Sequence, residues 1–113
     1  MGSHIESFGS LPSLDSIEQS VKSLQGVLSE GKVAETAQHE AKAWFGGLAN
    51  SLERICTQTI ANSENISLES LKKSYSKIGN VYTIMRDVGK DLSVETQSVA
   101  DQVDLLSHII KNK

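Results

Sequence analysis

The sequence predicts an all-α protein: an up-and-down bundle of three or four helices with short connections. Three observations predict it. Pro12 is the only proline, so about a hundred residues follow in which nothing forbids a long helix. Aromatic residues are 4% of the chain and hydrophobic residues 38%, so the core is aliphatic. Finally, Leu71, Tyr75, Ile78, Tyr82, Met85, Leu92, Val99, Val103, Leu106 and Ile110 recur in alternating steps of four and three. That period lines one side of a helix.

Residues 1–4, Met-Gly-Ser-His, read as a cloning scar and are set apart from the fold. Residues 5–12 form an irregular lead-in, whose Phe8 and Leu11 are placed to fold back onto the bundle. Residues 13–111 then make one helical domain, the size at which a single small core closes.

The first helix begins between Ser13 and Ser16. Ser16-Ile-Glu-Gln19 has the capping-box form, with the hydroxyl at the N-cap and the amide three residues on. Leu14, Ile17, Val21, Leu24 and Leu28 supply its stripe, and Gly31 stands where a helix stops. The second helix covers about 33–61. Ala37, Ala41, Trp44 with Phe45, Leu48, Leu52, Ile55, Cys56 and Ile60 face inward. Gly46-Gly47 lies within it, and each glycine costs about 1 kcal/mol relative to alanine in a helix interior. A kink or a break there is the alternative to one helix.

Residues 62–66 carry turn chemistry. Ser67 is the N-cap of the next helix, with Ile66 and Leu71 as a hydrophobic staple and Glu69 near the positive helix end. Ser67 also completes an Asn65-Ile66-Ser67 glycosylation sequon, which the cap and turn roles explain locally. One helix from 68 to 111 would be about 65 Å long at 1.5 Å per residue, more than the other helices can cover. Two resolutions follow. The helix breaks near Gly89–Ser93, with Ser93 capping a fourth helix, or it runs on as a long coiled-coil helix. Gly89 and Thr96 both occupy stripe positions, and this local weakness favours the break.

Net charge is -3 with a pI near 5.5, and the eleven basic residues are dispersed. That argues against nucleic-acid binding, which asks for a basic face. No run approaches the roughly 18 apolar residues of a membrane span. A single cysteine, Cys56, excludes an internal disulfide and points to a reducing, cytoplasmic setting.

Candidate chemistry is sparse. His39-Glu40 opens like a zinc-protease motif, but position 43 is Ala where the second histidine is needed. Cys56 sits among Leu52, Ile55 and Ile60, the setting of an inert packing thiol rather than a nucleophile. The carboxylates are spread as on ordinary wet helix faces. The expectation is therefore a non-enzymatic module with no cofactor and no metal. Its work is to bury an aliphatic seam against a partner helix or its own copy, as a homodimer, in the manner of an adaptor or complex subunit. The candidate contact residues are Trp44 and Phe45, as an aromatic hot spot, and Val99, Val103, Leu106 and Ile110. These last four become a surface if the final helix is continuous.

Three local resemblances bear on the alternatives. Trp44-Phe45-Gly46 near mid-chain resembles the Trp-x-Gly of small secreted helical hairpins of type VII systems, which implies a secreted bacterial protein acting on a host partner. Their tail signal, a tyrosine with an acid four residues on, is missing, since Tyr82 to Asp87 is one residue longer. Ile78-Gly79-Asn80-Val81 through Asp87-Val88-Gly89-Lys90-Asp91-Leu92 is similar to part of a glutamine-type SNARE motif, which implies a trafficking coiled coil. The central glutamine falls on Glu95. Helix order and length resemble the three-helix adaptor domains of endosomal sorting proteins. The three point to different families, and none is assigned.

Overall fold

In the computed structural model, residues 12–29 and 35–113 are described. They form four helices: α1 (Leu14–Ser29), α2 (Glu35–Ala61), α3 (Leu68–Asp91) and α4 (Gln97–Lys111). A short 3-10 turn, Ser63–Asn65, joins α2 to α3. The fold is an all-α helical bundle, as the periodicity predicts. The scar, the lead-in with Phe8 and Leu11, and the Gly31 stop lie outside the described residues.

The helices alternate in direction. The end of α1 meets the start of α2, where Leu24 and Val27 line one groove with Ala37, Ala41 and Trp44. Gly89 near the end of α3 approaches Phe45 in α2. Lys113, just past α4, returns to the start of α3, its Nζ donating to the carbonyls of Ser63 at 2.6 Å and Ile66 at 2.9 Å. α1 and α4 each pack across the α2–α3 pair and make at most marginal contact with each other. The body is flat, with principal extents of 47 × 40 × 18 Å, so the core is about two helix layers thick.

That core is aliphatic. α1 contributes Ile17, Val21 and Leu24; α2 contributes Ala41, Phe45, Leu48, Leu52 and Cys56. α3 contributes Leu71, Ile78, Val81, Met85 and Val88, with Leu92 at its end, and α4 adds Val99 and Leu106. Every seventh residue of the long stripe, from Leu71 to Leu106, is buried, while Tyr75, Tyr82, Val103 and Ile110 are half-buried at its edge.

Helix starts show where local chemistry decides. Ser67 is the N-cap of α3, its hydroxyl accepting from the Ser70 N–H at 3.2 Å. At α1 the cap is Ser13 rather than Ser16: the Ser13 hydroxyl accepts from the Ser16 N–H at 3.1 Å. Starting one turn earlier lets the Ile17 N–H bond the Ser13 carbonyl and lays Leu14 against the core. Gly46-Gly47 does not break the helix, since α2 is continuous through both.

The last segment breaks, so the continuous coiled-coil alternative is not the observed state. Its joint differs from the expectation at Ser93. That residue does not cap α4; Thr96 holds the position, without a side-chain bond. Ser93 instead follows the end of α3 with φ of 57°. Its N–H bonds the Lys90 carbonyl at 3.1 Å and the Val94 N–H bonds the Gly89 carbonyl at 2.8 Å. This pair of bonds is a Schellman motif, with serine where glycine is usual.

Candidate interaction surface

Sequence reasoning nominated six contact residues, and the fold separates them. Phe45 and Leu106 are 0% exposed and Val99 is 2% exposed. Val103 and Ile110 are half-buried against the same core. The break after Leu92 is the reason: α4 turns back onto α2 and α3, so the chain itself covers the stripe that a straight helix would have left bare. Trp44 alone of the six is exposed, at 47%.

Trp44 and Phe45 part because neighbours on a helix point about 100° apart. Phe45 lies on the inward line with Ala41, Leu48 and Leu52. Trp44 lies on the flank facing α1. There it forms one wall of a shallow groove of about 320 Å³, lined also by Leu24, Val27, Ala37, Glu40 and Ala41. Val27 is 46% exposed and Leu24 forms the buried floor. The groove is apolar except for Glu40 on its rim. Sequence reading missed Val27, which is not in the α1 stripe. The signal was its place three residues after Leu24, one helical step toward α2.

Two further large apolar side chains are exposed among the described residues. Leu68 opens α3 and Leu105 lies on α4. A second, more polar groove runs beside the α3–α4 joint, lined by Tyr82, Arg86, Lys90 and residues 94–97.

Cys56 is buried in α2, and burial pushes its thiol up to about 11 from 9.0. A neutral thiol in an apolar setting is a poor nucleophile. His39 and His108 are both exposed, on α2 and α4. Among the described residues, no three of His, Cys, Asp and Glu converge as a metal-ligand group. Among them too, no helix is long and apolar enough to cross a membrane. Polar ties between helices include the Lys77–Asp15 ion pair at 3.0 Å, joining α3 to α1, and the Thr57 hydroxyl against Gln102 Oε1 at 3.4 Å, joining α2 to α4.

Compared with protein-family models, with curated proteins and with solved structures, the chain matches none.

Proposed function

We propose that this chain is a non-enzymatic interaction module that binds a helix of a protein partner. The observation that carries the reading is the Trp44 groove. A tryptophan half open to water, beside Val27 and over Leu24, leaves an apolar concavity between two helices. Helix-in-groove recognition uses this kind of surface, with anchors at i, i+3, i+4 and i+7. Tryptophan is also the side chain most enriched where binding energy concentrates. The aliphatic seam of α4 has a different job in this reading, since it closes the bundle.

The secreted-hairpin alternative is favoured by a Trp-x-Gly turn between helices, and here the tripeptide lies inside α2. The SNARE-like alternative is favoured by an unbroken 68–111 helix, and here the helix stops at Asp91. The helix-binding module is therefore the better supported of the three.

Display selection tests it. A library of amphipathic helical peptides is selected on the wild-type chain, with counter-selection on Trp44→Glu. Enrichment of peptides with helically spaced apolar anchors that lose binding to Trp44→Glu supports the groove. Absence of enrichment, or equal binding to both proteins, overturns it.

A further inference from the structure

The four-three register of the long stripe keeps its phase across the α3–α4 joint, with Gly89 and Thr96 as the non-hydrophobic positions on either side of it. Positions 71, 75, 78, 82, 85, 89, 92, 96, 99, 103, 106 and 110 alternate steps of four and three from end to end, through the loop and into α4. That phase is the one a straight helix through the joint would need. Residues 90–98 contain neither glycine nor proline, so nothing in them forbids helix. The bend is held instead by a serine in the left-handed region, φ 57°, which costs an L-residue more than glycine. It is also held by close packing on Gly89, where a β-carbon would stand 3.0 Å from the Val94 carbonyl and 3.1 Å from Thr96 Cγ2.

We infer that this joint is a hinge, and that the chain has a second state in which residues 92–96 become helical and α4 is exchanged with a second copy. In that state α3 and α4 are one helix with the stripe on a single side. Two such helices run antiparallel, and each copy's α4 takes the seat on α2 and α3 of the other. Val99 and Leu106 keep the burial they have in the closed chain. The changes are confined to the joint: the two Schellman bonds give way to helical ones, and Ser93 leaves its left-handed conformation. A strained, short hinge between elements that pack equally well within or between chains is the setting for such exchange. The inference stands apart from the Trp44 groove, which the exchange leaves unchanged.

The Thr57–Gln102 contact between α2 and α4 supplies the test. Two full-length proteins are made, Cys56→Ala/Thr57→Cys and Cys56→Ala/Gln102→Cys. They are unfolded together, refolded at high concentration, and treated with a short bismaleimide. The expected result is a covalent heterodimer, formed in proportion to the dimer seen by light scattering. Ser93→Gly and Ser93→Ala tune the hinge in opposite directions, since glycine suits the bend and alanine the helix. Dimer affinity should differ by about a hundredfold or more between them, alanine being tighter, because both hinges of a dimer count. Trp44→Glu should leave cross-linking unchanged, which separates this outcome from failure of the groove. A protein that stays monomeric at every concentration even as Ser93→Ala overturns the inference, and so does a dimer that gives no 57–102 cross-link.

Discussion

The Phe45 ring fills the space beside Gly89: a β-carbon on Gly89 would stand 3.2 Å from Phe45 Cζ. The same point lies 3.0 Å from the Val94 carbonyl. The core of α2 and the α3–α4 joint therefore meet over a residue with no side chain. Gly89→Ala should destabilise the protein by about 1–2 kcal/mol, the overpacking cost exceeding the gain in helix propensity. Gly79 is the control, because its β-carbon position is open. Gly79→Ala should stabilise by about 0.5–1 kcal/mol. Urea midpoints of the two variants check the opposite signs.

Ser93 offers a second backbone test. Ser93→Gly should raise the stability of the closed monomer by about 1 kcal/mol, since glycine accepts φ near 57° without steric cost. Ser93→Val, branched at Cβ, should lower it. Thermal melts at low micromolar concentration keep association out of the comparison.

Caps can be told apart by paired alanine variants. Ser67→Ala and Ser13→Ala each remove a hydroxyl that accepts a helix N–H, and each should cost about 1 kcal/mol. Ser16→Ala and Thr96→Ala remove no such bond and should stay within about 0.5 kcal/mol. A larger loss at Ser16 than at Ser13 would return the start of α1 to the capping box.

The stripe and the groove should respond differently to truncation. Leu106→Ala empties a fully buried site and should cost about 2–5 kcal/mol. Trp44→Ala should cost under about 1.5 kcal/mol, because the ring is half in water. Chemical denaturation followed by circular dichroism measures both without relying on the tryptophan signal.

Cys56 makes stability depend on alkaline pH. Burial raises its thiol from 9.0 to about 11, so the unfolded chain gives up this proton first. The contribution is full below pH about 9 and is lost as pH rises through about 11, a difference of about 2–3 kcal/mol. Cys56→Ala should flatten that part of the stability profile. An unchanged slope between wild type and variant would contradict it.

Much of this fold is legible in the residues. The absence of proline after Pro12 and the helical spacing of the apolar residues give an all-α bundle of three or four helices, and Ser67 with Ile66 and Leu71 gives the start of α3. Where reading fell short, two local signals competed. Ser13 and Ser16 both suit a cap, and the position of Leu14 over the core decides for Ser13. Trp44 and Phe45 both adjoin apolar lines, and periodicity alone cannot say which line faces inward. Val81 and Val88 belong to the buried face of α3 but lie beside the long stripe, because α3 packs on α1 as well as α4. Ser93 has no sequence signature for the left-handed region, where glycine or asparagine is the usual mark.

Lys113 holds the opposite end of the α3–α4 hairpin from the Schellman turn. Its ammonium spans the carbonyls of Ser63 and Ile66, the first of which also accepts the Ile66 N–H at 3.4 Å. The last turn of a helix ordinarily frays first, opening at little free-energy cost. Here that turn is moored to a segment some fifty residues earlier, so the order of loosening shifts. The amides around His108–Lys111 should be protected in proportion to the 63–66 turn, and Lys113→Ala should release both together in hydrogen-exchange traces.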